Sequence, residues 1–251
     1  MLATIVSDKF LIDERELIAN ALDEICSPND NWGWASTGIY CFWNPSNTQI
    51  LYIGLAQDIP KRFREHVGII QCNPMGCKKT QIDEYFKTSS ILGYSVLLQS
   101  CFEQAGLSAL GMLLPELGDT GVKNIKTNEG LLIEAYRLQY GRLPDWNKIS
   151  GNRSGSKVAT PQHEPILKFL SDVDVPNPFR AELPLRSLAQ AGGITVTEEL
   201  ELHLIRMFAL GGHTLQQALE IHRTMQSKNP YSSETLDRPN CKKWISKWCR
   251  R

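Results

Sequence analysis

Arginine and histidine lie four residues apart at Arg62 and His66, in a short segment with helical character. Asp58 can cap this helix and Pro60 suits its first turn, so the helix is predicted to run to about Val67. Residues four apart project from one helical face. Guanidinium and imidazole groups serve proteins in phosphate recognition and proton transfer. A solvated surface pair has the same spacing, so this pair alone leaves both interpretations open.

Two tyrosines, Tyr40 and Tyr52, occupy two short extended segments, Thr37–Trp43 and Ile50–Leu55. The turn-forming residues of Asn44–Gln49 separate the segments and predict a β-hairpin. Alternation places both phenols on one surface of the hairpin, opposite an apolar face. That apolar face consists of Ile39, Cys41, Trp43, Leu51, Ile53 and Leu55. The phenols are either half-buried sheet residues or site residues, and the hairpin alone does not decide between them.

A carboxylate, Glu134, falls within an apolar stripe of a strongly helical segment. The stripe consists of Leu131, Glu134, Ala135 and Leu138, which follow the i, i+3, i+4, i+7 spacing of one helical face. A carboxylate there is costly unless it pairs with a cation or binds a metal. Glu129 falls on the opposite side of the helix and is expected to be solvated. Pairing with a buried arginine is the alternative for Glu134.

In this order the residues resemble the GIY-YIG nuclease superfamily. Gly38-Ile39-Tyr40 and Tyr52-Ile53-Gly54 are the two name-giving tripeptides, with eleven residues between the tyrosines. Arg62 follows eight residues after Gly54, and the series continues with His66, Glu134 and Asn147. The resemblance covers about residues 36–150 and implies an α+β fold with a small three-stranded antiparallel sheet flanked by helices. The stretch before the glutamate helix is longer than in minimal members.

The resemblance also implies an activity, the divalent-metal-dependent hydrolysis of DNA phosphodiester bonds. Glu134 is then the single protein ligand of one Mg²⁺ or Mn²⁺ ion per active site, which suits an ion that keeps most of its waters. Tyr40 is the expected general base, and Tyr52 is expected to hold the water or the scissile phosphate. A phenol can serve as base only where cations lower its pKa. Arg62 is the expected phosphate clamp.

The remaining site residues have supporting roles in this hypothesis. His66 is expected to hydrogen-bond to the tyrosine or the phosphate and to shuttle a proton. Asn147 is expected to orient the site. Three flanking cations are the candidate DNA contacts, namely Lys61, Arg64 and Lys148.

Further elements complete the predicted nuclease domain, which spans residues 1–152 with its core at about 36–150. They are a helix at about 12–25, a third strand at about 91–99 and the glutamate helix at about 129–140. The stretch of mixed character at about 102–128 is expected to be a helical insertion.

A linker is predicted at residues 153–165 from their glycine, serine and proline content, followed by a mainly helical region at 166–251. The helices of that region are expected at about 198–210, 214–226 and 240–250. Thr195 and Thr214 begin capping-box patterns before the first two. The region either binds DNA as a helix-turn-helix unit or packs on the nuclease domain or a second subunit.

The composition is that of a soluble globular protein, with 42% hydrophobic and 22% charged residues and a net charge of zero. No apolar run is long enough to span a membrane and the first residues lack a signal-peptide pattern, so a cytoplasmic location is expected. The seven cysteines fit neither a disulfide framework nor paired zinc motifs, which favours free thiols. Positive charge is concentrated at residues 60–80 and 221–251, as a local phosphate-binding track requires.

DNA is therefore the expected partner and a membrane is not, while a homodimer is an open alternative to a monomer. A catalytically silent nucleic-acid-binding or regulatory protein on the same scaffold is the alternative function. A structural interaction domain is a third. Both tyrosines, Arg62 and Glu134 are intact, which favours the nuclease over both alternatives.

Overall fold

A computed structural model describes residues 2–26, 36–72, 76–100, 103, 115–227 and 235–249 of the chain. The strands are β1 (Leu2–Phe10), β2 (Gly38–Asn44), β3 (Gln49–Ala56) and β4 (Leu92–Gln99). The helices of the first half are α1 (Arg15–Cys26), α2 (Ile59–Val67), α3 (Lys79–Tyr85) and α4 (Pro115–Tyr140). Those that follow are α5 (Arg153–Ser156), α6 (Glu164–Ser171), α7 (Leu185–Ala189), α8 (Gly193–Leu210), α9 (Leu215–Gln226) and α10 (Pro239–Trp248). Part of the predicted insertion at about 102–128, including residues 104–114, lies outside the described residues, and residues 115–128 belong to α4.

The fold class is α+β, and its sheet is antiparallel in the order β1-β4-β2-β3. The prediction of three strands is wrong, because the described residues form four. Sequence analysis identified β2, β3 and β4 but missed β1, whose β-branched run Thr4-Ile5-Val6 is typical of a strand. β1 pairs with β4 and completes the sheet beside the hairpin.

Both faces of the sheet are buried, and β2 alternates between them as its sequence predicts. Tyr40 and Phe42 lie on the face covered by α1 and α2, while Ile39, Cys41 and Trp43 lie on the face covered by α4 and α6. Leu51 departs from the prediction. The register between β2 and β3 shifts after Phe42, and this irregularity places Leu51 among the residues of the Tyr40 face.

Local sequence determines the bounds of α2, the helix that carries Arg62 and His66. The Asp58 carboxylate accepts the Lys61 N–H at 2.9 Å and caps the first turn. Gly68, with a φ of 80°, ends the helix in the left-handed conformation that favours glycine. Both ends agree with the prediction from sequence.

Helix α4 is longer than the predicted helix at 129–140, and it buries a different stripe. Its inward residues are Ile125, Leu132, Ile133, Ala135 and Tyr136. Leu138, which the prediction placed inward with Glu134, is 45% exposed. The predicted stripe was wrong because the apolar residues of this helix permit two faces, and the sheet packs against the one centred on Leu132 and Tyr136.

The segment predicted as a linker, residues 153–165, is packed against α4. It contains α5 and a 3-10 turn at Pro161–His163. Gly155 lies so close to α4 that an added Cβ would collide with the Thr127 carbonyl. Directly after it, α6 inserts Leu167 and Leu170 into the core beneath the sheet. The packing is therefore continuous through residues 153–165.

The following segment covers the outer edge of β1. The Ile5 N–H donates to the Phe179 carbonyl at 2.7 Å, and the Ala181 N–H donates to the Ile5 carbonyl at 2.9 Å. Arg206 of α8 is fully buried beside this contact and pairs with Glu199 at 2.8 Å. Covering this edge satisfies strand hydrogen-bonding groups that would otherwise be exposed.

The last three helices share a small core of their own, which includes Leu202, Leu219 and Trp244. The capping box at Thr214 is present as predicted. The one predicted at Thr195 is wrong, because α8 already begins at Gly193. None of the described helices is long and apolar enough to cross a membrane.

Candidate active site

Tyr40 and His66 form the centre of the site. The Tyr40 hydroxyl oxygen lies 2.7 Å from His66 Nε2, and both residues are buried. His66 Nδ1 accepts the backbone N–H of Lys78 at 3.0 Å, so the proton of the neutral imidazole resides on Nε2. Burial, together with the positive charges of Arg62 and Lys78, lowers the pKa of His66 to about 3. His66 is therefore a neutral donor to the Tyr40 oxygen.

Arg62 is the second donor to that oxygen. Its Nε–H points at the Tyr40 hydroxyl at 3.4 Å, its Nη1 pairs with Glu65 at 2.6 Å, and its Nη2 donates to the Gly76 carbonyl at 2.7 Å. A guanidinium carries five N–H donors. Three are used here, and two remain for an incoming oxygen.

The phenols are less exposed than the sequence suggested. Both were expected to emerge on an open surface, but Tyr40 is 1% exposed and Tyr52 is half-buried, with ring centroids 5.8 Å apart. Burial raises the pKa of Tyr40 well above its usual value, and the charge of Arg62 opposes that rise. Burial also raises the pKa of Tyr52. In the free protein Tyr40 is therefore a neutral phenol.

Close packing explains why both tripeptides contain a glycine. Gly54 lies opposite Tyr40 across the hairpin. A Cβ at Gly54 would lie 2.8 Å from the Tyr40 hydroxyl and 2.7 Å from the Tyr52 ring. At Gly38 a Cβ would lie 2.6 Å from the Leu97 carbonyl. Only glycine at position 54 lets the two phenols converge.

The structure does not bring Glu134 to this centre in the way the sequence suggested. Both carboxylate oxygens of Glu134 are held by Arg137 of the same helix, at 2.9 and 2.6 Å. The side chain of Arg137 is 48% exposed and that of Glu134 is 13% exposed, so the carboxylate is largely covered while its arginine reaches solvent. The sequence left a buried arginine pair as the alternative, and the observed pair differs from it in the exposure of Arg137. Of the predicted stripe, Leu131 and Ala135 pack against the core and Leu138 does not.

Glu129 is the carboxylate that lies near the tyrosines. It was expected to be solvated, but it is half-buried and its carboxylate lies near the backbone N–H of Leu55 on β3. Burial raises the pKa of Glu129 to about 7, and its negative charge contributes to the raised pKa of Tyr52. No lysine or arginine in the described ranges forms an ion pair with it. In the sequence, Glu129 stands five residues before Glu134 in the same helix. The predicted stripe placed Glu129 on the outer side of that helix, so it was not considered as a site residue.

Asn147 fixes the same edge of β3. Its Oδ1 accepts the Ile53 N–H at 2.9 Å and its Nδ2 donates to the Ile53 carbonyl at 2.8 Å. The carboxylate of Glu129 lies near the next strand position along this edge, Leu55. Asn147 thus holds backbone rather than reacting groups, as the predicted orienting role requires.

The chemistry of the donor set at Glu129 fits a divalent ion, whereas the Glu134 carboxylate is already paired with Arg137. Glu129 offers a carboxylate without a cationic partner among the described residues, next to phenols and cations that can bind phosphate. Such a single-carboxylate site suits Mg²⁺, which retains waters and takes further oxygens from substrate. No cluster of three or more His, Cys, Asp or Glu exists in the described part of the chain, so a site built wholly from protein ligands is not indicated there.

The predicted DNA contacts differ in their surroundings. Lys61 and Lys148 are exposed. Arg64 pairs with Asp23 of α1. This pair links α1 to α2, so the role of Arg64 is structural. Sequence analysis missed Lys78, whose ammonium lies 4.6 Å from the centroid of the Tyr52 ring. It belongs to the basic segment 60–80, but nothing in the local pattern placed it beside a tyrosine.

Comparison with family models, curated proteins and solved structures finds no match to this chain. The geometry of the site is therefore the basis for any functional assignment.

Proposed function

We propose that this chain is a divalent-metal-dependent endonuclease that hydrolyses DNA phosphodiester bonds at Tyr40, Arg62, His66 and Glu129. The observation that carries the proposal is the convergence of two N–H donors on the Tyr40 oxygen. His66 Nε2–H and Arg62 Nε–H both point at it, at 2.7 and 3.4 Å. Donors in this arrangement stabilise negative charge on the oxygen, so Tyr40 is the phenol suited to lose a proton.

Tyr40 accepts the proton of the attacking water in this proposal. The phenol is neutral in the free protein, because burial raises its pKa. A phenolate forms there when the phenol releases its proton to solvent, and it keeps both donors. It then takes one proton from the water that attacks phosphorus, and the leaving oxygen takes a proton from solvent as its bond to phosphorus breaks. His66 stays neutral and holds the Tyr40 oxygen, so the proton-shuttle role first expected of it is not part of the proposal.

Arg62 and Tyr52 bind the phosphate. The two free N–H donors of Arg62 are suited to a phosphoryl oxygen, and a charged donor strengthens as negative charge develops in the transition state. The half-buried ring of Tyr52 lies beside Tyr40 and can orient the incoming phosphate. Excluding water around Tyr40 strengthens each of these interactions.

Glu129 would hold the divalent ion. When bound there, the ion would polarise the phosphoryl oxygen and lower the pKa of a coordinated water. Glu129 would orient such an ion through a carboxylate that lies near the Leu55 N–H at the edge of β3. Asn147 holds the same strand edge in place two residues earlier, at Ile53.

Incubation of supercoiled plasmid DNA with the purified protein tests the proposal. We expect nicked or linear product with Mg²⁺ or Mn²⁺ and none with excess EDTA. DNA binding without cleavage under either ion would reject the nuclease and favour the catalytically silent alternative. Cleavage that persists in EDTA would reject the metal requirement.

A further inference from the structure

Lys78 is a buried cation without a countercharge in the described part of the chain. The residue is only 6% exposed, and no carboxylate of the described ranges forms an ion pair with it. Burial lowers the pKa of its ammonium, and the positive charges of Lys148 and Arg62 lower it further. A buried ammonium surrounded by cations is costly unless an anion joins it.

The position of Lys78 is well determined. Its backbone N–H donates to His66 Nδ1 at 3.0 Å, directly before α3 begins. Its Nζ lies over the Tyr52 ring at 4.6 Å. The aromatic face attracts the ammonium but supplies no net negative charge, so the contact orients Lys78 without neutralising it.

Three separate parts of the chain bring cations to this place. Arg62 comes from α2, Lys78 from the residue before α3, and Lys148 from the residue after Asn147. Among these three cations, only Arg62 forms an ion pair with a carboxylate of the described residues, namely Glu65. Lys78 and Lys148 have no such partner there.

We propose that Lys78 is a DNA-binding residue whose ammonium contacts a backbone phosphate beside Tyr52, with Lys148 at the exposed rim of the same contact. This inference rests on the proposed function and adds a phosphate contact to it. A phosphodiester supplies the negative charge that Lys78 and Lys148 lack. Because its backbone already holds His66, Lys78 couples the position of the phosphate to that of the Tyr40 centre.

Binding measured without cleavage provides the test. Fluorescence anisotropy of a fluorescein-labelled DNA duplex of mixed sequence would be recorded in EDTA over a series of salt concentrations. Lys78→Met keeps the aliphatic stem over Tyr52 and removes the charge. The matched control is Lys79→Met, since Lys79 is exposed and pairs with Asp83.

We expect Lys78→Met to weaken binding about tenfold at low salt and to reduce the log–log salt slope by roughly 0.9, the value for one lost phosphate contact. Lys79→Met should leave both unchanged. Without DNA, Lys78→Met should also raise the melting temperature at low salt, because it removes an uncompensated charge. A lysine that served only to support Tyr52 would give a lower melting temperature and an unchanged slope.

Unchanged affinity and slope for Lys78→Met would overturn the inference, even if the wild-type protein cleaves DNA. Wild-type protein that binds no DNA would also overturn it. Wild-type protein that binds DNA through Lys78 but does not cleave it with either Mg²⁺ or Mn²⁺ would leave the inference standing and reject the nuclease. The two proposals therefore fail by different results.

Discussion

The imidazole of His66 donates its Nε2–H to the hydroxyl oxygen of Tyr40, 2.7 Å away. The direction of this bond follows from the other ring nitrogen, which accepts the backbone N–H of Lys78. A single histidine thus connects the strand that carries Tyr40, the helix that carries Arg62, and the segment that carries Lys78. The interpretation of the site as a nuclease centre depends on this connection.

Glu129→Gln and Glu134→Gln separate the two glutamates of α4. Glu129→Gln should reduce metal-dependent cleavage by at least about a hundredfold, and Mg²⁺ should no longer raise the melting temperature. Glu134→Gln weakens only the pair with the exposed Arg137, so we expect near-normal cleavage and a small loss of stability. Plasmid cleavage and melting with and without Mg²⁺ provide the readouts. Loss of cleavage in Glu134→Gln alone would restore the metal assignment first made from sequence.

The raised pKa of Glu129 predicts a dependence of stability on pH. Burial raises the pKa from 4.5 to about 7 in the folded protein. The folded chain therefore keeps a proton that the unfolded chain releases, so this group lowers stability as pH rises through that window. The difference in unfolding free energy between Glu129→Gln and wild type should grow by on the order of 3 kcal/mol from pH 4.5 to 7 without metal. Denaturant titrations over this range measure it, and a constant difference would contradict the assignment of a buried, unpaired carboxylate.

Arg62→Lys tests whether the site needs the planar guanidinium of Arg62 rather than its positive charge alone. Lysine retains the charge but cannot contact Tyr40, Glu65 and Gly76 together, so cleavage should fall by at least about a hundredfold with DNA affinity largely kept. Arg186→Lys is the matched control, because Arg186 pairs with Asp8 and Glu14 through the same kind of fork. That control should lower the melting temperature and leave the rate constant near normal. Equal rate constants for Arg62→Lys and wild type would remove Arg62 from the mechanism.

The packing of α8 predicts that the C-terminal half is needed for folding. Arg206 is fully buried and holds Glu199, the Pro178 carbonyl and the Arg180 carbonyl. Arg206→Ala leaves the Glu199 carboxylate buried without its partner, which should cost about 3 to 5 kcal/mol. A chain ending at Ser156 should be insoluble, since it exposes the edge of β1 and the core beneath α6. A soluble, cooperatively folded truncation would show an independent first domain instead.

Sequence analysis predicted the hairpin and α2 well, because their signals are local. Turn residues separate the two strands, Asp58 and Gly68 bound the helix, and the spacing of Arg62 and His66 follows from helical geometry. The prediction that Tyr40, Arg62 and His66 belong to one site came from the resemblance to the GIY-YIG superfamily and not from these local rules. β1 could also have been found locally, from its β-branched run.

The choice between Glu129 and Glu134 could not be made from local pattern. Helix α4 has two apolar faces of similar quality, and only its packing on the sheet selects one. The position of Lys78 beside Tyr52 likewise depends on how α3 follows α2 in space. The burial of Tyr40 required the helices on its face of the sheet, which no pattern within the hairpin reveals.

Tyr40→Phe, compared with Tyr94→Phe, tests the central claim most directly. Both changes remove one hydroxyl from a buried phenol on the same face of the sheet, but Tyr40 bonds to His66, whereas the Tyr94 hydroxyl has no hydrogen-bond partner among the described residues. We predict that Tyr40→Phe lowers the rate constant of Mg²⁺-dependent plasmid cleavage by about a hundredfold or more. Tyr94→Phe should leave that rate constant unchanged and raise stability by about 1 kcal/mol. A folded Tyr40→Phe protein that cleaves at the wild-type rate would contradict the account.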